Sequence, residues 1–146
     1  MRAGCLLQGE RELLTDIPPL ISIVDDHSLA RAAMEDLVRS LGFSARTFAS
    51  AESFLQSSSI AKTECLILDV QMLKMSGLDL QDHLSQNGFD IPIIFVTAHP
   101  DEAIKARALN AGAICFLQKP LDLRRDLLID CLHAALGRGG GPAPAT

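Results

Sequence analysis

Four runs of apolar residues stand out along the chain, separated by stretches of helical periodicity. They are LISIV (20–24), CLIL (65–68), IPIIFV (91–96) and AICFL (113–117). None alternates with polar residues, which is the pattern of parallel strands covered on both faces. FSARTF (43–48) is more mixed and suits a sheet edge. Pro92 falls at the start of its run, where a missing N–H is tolerated.

The intervening segments read as helices. Leu29, Ala33, Leu37 and Leu41 recur every fourth residue, with Met34 and Val38 beside them, and Gly42 stops the pattern. Residues 50–56 form a short second helix. Ser76 caps a third, which carries Leu80 and Leu84 and ends near Asn87-Gly88. Residues 100–109 give a fourth with a narrow apolar face and Pro100 in its first turn. Leu127/Leu128, Cys131/Leu132 and Ala135/Leu136 mark one face of the last, which Gly137 ends. Five strands alternating with five helices predict an α/β domain, a parallel sheet with helices on both faces. The ordered domain is expected over 20–137. An N-terminal extension (1–19) without clean periodicity precedes it, and a Gly/Pro/Ala-rich flexible tail or linker (138–146) follows.

Composition narrows the class. The 146 residues make about one domain. Apolar residues are 48% and charged residues 21%, ordinary for a soluble globular protein. A net charge of −5 argues against direct nucleic-acid binding through a broad basic surface. No apolar run approaches the roughly 18 residues of a membrane helix, and the N-terminus is too weakly apolar for a secretory signal. Cytoplasmic residence follows by default. Cys5, Cys65, Cys115 and Cys131 show no C-x-x-C or zinc spacing, so they read as small, reduced core residues.

Polar residues then gather where strands end. The first run leads into Asp25-Asp26, the third strand into Asp69 and the fourth into Thr97, and Lys119-Pro120 lies just beyond the fifth. In an open α/β sheet, ligands bind outside the carboxyl ends of the strands. Crowded carboxylates repel one another and need a cation or protons. Oxygen ligands suit Mg²⁺, and a lysine with a hydroxyl suits a phosphoryl group. A carboxylate can itself be the nucleophile and form an aspartyl phosphate.

The set Asp25-Asp26, Asp69, Thr97-Ala98 and Lys119-Pro120 resembles the receiver domain of bacterial two-component response regulators, over about 20–137. DVQM…MSGLDL, IPIIFVTAH and GAICFLQKP are most similar to FixJ-type regulators. The resemblance implies a flavodoxin-like (βα)5 fold with strand order 2-1-3-4-5. It implies that Asp69 is phosphorylated by a histidine kinase or phosphotransfer protein in a phosphorelay. It implies Mg²⁺ held by the side chains of Asp26 and Asp69 and the backbone carbonyl of Gln71, with Asp25 assisting through water. Lys119 would pair with the carboxylate or phosphoryl, Thr97 would swing in to a phosphoryl oxygen, and Phe116 would turn inward with it. The Lys119–Pro120 bond is expected cis. The face of helix 4, strand 5 and helix 5 would read out the state, with homodimerisation as one route. Such a domain is not an enzyme acting on other substrates; it catalyses only its own phosphotransfer and dephosphorylation. FixJ-type relatives usually carry a C-terminal DNA-binding domain, so this chain reads as a stand-alone receiver or as one part of a longer protein.

Two features stand apart. The family loop usually reads D-x-x-M-P-G-M-S-G, whereas here Leu73 and Lys74 replace the proline and glycine. That substitution predicts a looser or redirected loop. Gln71 and His99, two residues past Asp69 and Thr97, occupy positions expected to tune phosphoryl lifetime. His27, His83 and His133 lack the helical-bundle context of a phosphohistidine. A dehalogenase-type phosphohydrolase would need an acid where Gln71 stands, and a P-loop signature is absent. A receiver-like interaction module that is never phosphorylated is the remaining alternative.

Overall fold

The computed structural model describes residues 17–137. Most of the expected N-terminal extension and all of the tail lie outside the described residues, as does Cys5. Five parallel strands form one sheet: β1 (Leu20–Val24), β2 (Ser44–Phe48), β3 (Cys65–Asp69), β4 (Ile93–Thr97) and β5 (Cys115–Gln118). Their order is β2-β1-β3-β4-β5, the expected flavodoxin-like arrangement. The helices are α1 (Ser28–Ser40), α2 (Ala51–Leu55), α3 (Gly77–Gln86), α4 (Glu102–Asn110) and α5 (Arg125–Gly137), with 3₁₀ turns at Ser58–Ala61 and Leu121–Arg124.

Side chains alternate across the sheet because successive residues of a strand point to opposite faces. Ile21, Ile23, Ile67, Ile94 and Val96 pack with Met34, Leu37 and Val38 of α1 and with Leu128 and Leu132 of α5. Val24, Leu66, Leu68 and Phe95 pack on the other face with Phe54 of α2, Leu80 and Leu84 of α3 and Ala108 of α4. Both faces are covered, which is why these strands can be continuously apolar.

The registers bring the site together. Val24 pairs with Leu68, Asp69 with Val96 and Thr97 with Gln118. The carboxyl ends of β1, β3, β4 and β5 therefore lie side by side. The Lys119–Pro120 bond is cis, as expected.

Several local readings need correction. Leu29 is 77% exposed and Ala33 is exposed, so the buried face of α1 is Met34, Leu37 and Val38. A strict repeat of four drifts around a helix of about 3.6 residues per turn, so Leu29 and Ala33 rotate away from the face set by Met34, Leu37 and Val38. Likewise Leu127 is 50% exposed, and the buried face of α5 runs through Leu128, Cys131, Leu132 and Ala135. Pro100 lies outside α4, whose N-cap is Asp101, accepting from the amides of Ala103 and Ile104. Ile91 and Pro92 precede β4 rather than open it. The reduced reading of the cysteines fails for two of them: Cys115 and Cys131 form a disulfide, with a Cα–Cα distance of 6.2 Å. Neighbourhood in space decides such pairing. A separation of 16 residues gives no hint that α5 folds back over the start of β5.

Candidate functional site

The site forms where β1, β3, β4 and β5 end. Asp25 follows β1 and is fully buried. Its amide donates to the Phe48 carbonyl at 3.1 Å, extending the β1–β2 ladder by one residue. Its Oδ1 accepts the His27 amide at 2.8 Å, and the Arg31 guanidinium donates to its carbonyl at 2.7 Å. His27, not the acid pair, caps α1, with Nδ1 accepting the Ala30 amide at 3.3 Å. Asp26 is exposed, and its Oδ2 accepts the Leu73 amide at 3.1 Å.

Asp69 is the last residue of β3 and is almost wholly buried. The Val70 amide donates to the Val96 carbonyl at 3.0 Å, so the ladder continues past it. Carboxylate oxygens of Asp25, Asp26 and Asp69 lie within 4.8 Å of one another. Lys119 meets this charge: its Nζ is 2.6 Å from Asp25 Oδ2 and 3.5 Å from Asp69 Oδ1. Asp25 Oδ2 has no aligned hydrogen bond, so it is met by charge alone. The Lys119 amide donates to the Thr97 carbonyl at 2.8 Å, which fixes where the side chain starts. Thr97 is buried, and its Oγ1 accepts the His99 amide at 3.1 Å.

Electrostatics follow from that crowding. Asp69 is raised from 3.8 to about 6, first by burial and then by the neighbouring Asp25 charge. Lys119 and a hydrogen bond from the Gln71 amide pull in the opposite direction. The result is a buried carboxylate, ionised at neutral pH and beside one ammonium group.

The loop after β3 shows what the missing proline and glycine change. Lys74 takes φ 65, the left-handed region where a side chain is costly. Leu73 is 81% exposed, and its amide makes the bond to Asp26 that a proline could not donate. Ser76 then starts α3 as expected, in a capping box with Asp79. The Gly77 amide donates to the Val70 carbonyl at 2.9 Å. A Cβ on Gly77 would collide with the Asp69 carbonyl and crowd the Phe95 ring.

Of the expected site residues, Asp25, Asp26, Asp69 and Lys119 come together, and Thr97 lies at the same edge. Gln71 is exposed beside them. Phe116 is half-buried, with its ring centroid 6.3 Å from that of Phe95. His83 and His133 are exposed on α3 and α5. Sequence reasoning overlooked Gly77, Arg31 and the Leu73 amide. Gly77 was visible as the glycine opening a helix, but a backbone donor leaves no trace in residue type.

Known proteins resemble this chain in sequence and fold. Residues 21–130 match the family model described as the response regulator receiver domain. The chain is 40% identical over 141 residues to the response regulator protein TodT of Pseudomonas putida, covering 92% of this chain and 61% of TodT. It therefore spans about three fifths of that relative's length. Among solved structures, the response regulator StyR superposes with a TM-score of 0.74 at 39% identity, over 83% of this chain and 60% of that one. FixJ-N superposes with a TM-score of 0.70 at 29% identity, over 80% and 92%.

Proposed function

The chain belongs to the response regulator receiver domain family, and from that premise we propose that Asp69 accepts a phosphoryl group from a histidine kinase or phosphotransfer protein. The observation that carries this reading is the convergence of three carboxylates, Lys119 and Thr97 at one edge of the sheet. An acid constant near 6 leaves Asp69 ionised, hence nucleophilic, at neutral pH.

In the transfer, an Asp69 carboxylate oxygen attacks phosphorus as the bond from phosphorus to the donor imidazole nitrogen breaks. The electron pair leaves on that nitrogen. Lys119, already between Asp25 and Asp69, turns to the new phosphoryl oxygens. Thr97 gives up the His99 amide and donates its hydroxyl to the phosphoryl. Phe116 follows inward, and the face of α4, β5 and α5 reads out the change, by homodimerisation or by contact with an output partner. Hydrolysis of the acyl phosphate resets the switch, at a rate set by Gln71 and His99. The only turnover is of the domain's own phosphoryl group.

The donor set also fits Mg²⁺: hard oxygens in one cluster, with a buried Asp25 oxygen that no aligned hydrogen bond satisfies. Asp26 and Asp69 would hold the ion with the Gln71 carbonyl, and Asp25 would act through water. When bound, it supplies positive charge against the phosphoryl oxygens.

Incubation with Mg²⁺ and acetyl phosphate, followed by intact mass, tests the reading. We expect wild type to gain one phosphoryl and Asp69→Asn to gain none. No gain by wild type from any donor would favour a silent interaction module. Continuing release of phosphate from an ester would favour a hydrolase.

A further inference from the structure

The disulfide joins two places that matter for the site. Cys115 opens β5, and Cys131 lies in the middle of α5. Both are buried in the core that α1 and α5 share with the sheet. The segment they enclose carries Phe116, Lys119 and the turn at Leu121–Arg124. It thus carries the two groups that move in the switch proposed above: the Lys119 ammonium, now on Asp25 and Asp69, and the Phe116 ring, now against Phe95. β5 is an edge strand paired only with β4, and this link ties its first residue to α5.

We propose that Cys115 and Cys131 are a redox-active pair whose oxidation restrains the segment bearing Lys119 and Phe116 and slows phosphoryl uptake at Asp69. The proposal rests on the phosphoacceptor reading of Asp69. The oxidant is a small-molecule disulfide such as oxidised glutathione. One cysteine, as thiolate, attacks it, forming a mixed disulfide and expelling one glutathione thiolate. The second cysteine attacks the protein-bound sulfur and expels the other. The two protein thiols lose two protons and two electrons, and the glutathione disulfide becomes two thiols. A dithiol reverses the sequence. Both sulfurs are buried, so exchange waits on a local opening of α5 from the sheet.

The test equilibrates wild type and Cys131→Ala with oxidised glutathione or with dithiothreitol. Each is then followed by intact mass during uptake from acetyl phosphate with Mg²⁺. Oxidised wild type should be lighter by two hydrogens and take up phosphoryl about fivefold more slowly. Cys131→Ala should react at the reduced wild-type rate under both conditions. Cys115→Ala serves in the same way if the first variant does not fold. Equal rates for oxidised and reduced wild type would overturn the proposal. So would failure of the disulfide to form, or a redox effect that persists in a variant whose intact mass shows no glutathione adduct, since that effect cannot come from this pair. Failure of reduced wild type to take up any phosphoryl would instead overturn the reading of Asp69, because the loss of two hydrogens is read independently.

Discussion

At the scale of single residues, the site balances one ammonium against three carboxylates, and Asp69 records the imbalance. Its acid constant is near 6 in the fold, against 3.8 ordinarily. The folded protein therefore holds that proton more tightly than the unfolded chain. Its stabilising effect is complete below pH 3.8 and is lost as the pH rises through about 6. In metal-free protein, Asp69→Asn should melt above wild type at pH 8, and the gap should close as the pH falls towards 4, on the order of the ordinary aspartate value. A constant gap across that range in thermal melts would contradict the assignment. Lys74 gives a second measurement. Its left-handed backbone predicts that Lys74→Gly stabilises the fold by about 1 kcal/mol, readable by urea titration. The departure from the family loop was visible in the sequence. Its outcome was not, because the Leu73 amide that reaches Asp26 belongs to the backbone.

At the scale of elements, the strands were readable because each is apolar on both faces, and the sheet covers both. The acids were readable for the same reason: a charge that ends such a run must sit at the edge of the layers. Helix faces were less readable. A repeat of four picked Leu29 and Ala33 for the core of α1, yet that repeat drifts around a helix of about 3.6 residues per turn and leaves the buried face at Met34, Leu37 and Val38. Burial depends on what lies beneath a residue, and periodicity describes only the helix. Leu37→Ala should accordingly cost about 2–5 kcal/mol, the cost of a core truncation. Leu29→Ala should fall within about 0.5 kcal/mol of wild type. Chemical denaturation of the two variants separates the faces, and similar costs would return Leu29 to the core.

At the scale of the whole molecule, the site is a joint property of four strands, and no single segment contains it. An ion that binds the folded cluster and not the open chain should raise stability by mass action. Mg²⁺ is expected to shift the melting temperature of wild type upward, EDTA to reverse the shift, and Asp26→Asn to diminish it. No shift at any Mg²⁺ concentration would remove the metal from the site. The sheet order has a further consequence for how the protein comes into being. Synthesis delivers Asp25, Asp26 and Asp69 well before Lys119, so until β5 is in place the acids lack the ammonium that meets them in the fold. β5 then docks with an ammonium at its end, drawn by charge as well as by the hydrogen bonds offered by β4. The last strand of this sheet thus brings the counter-charge for the first.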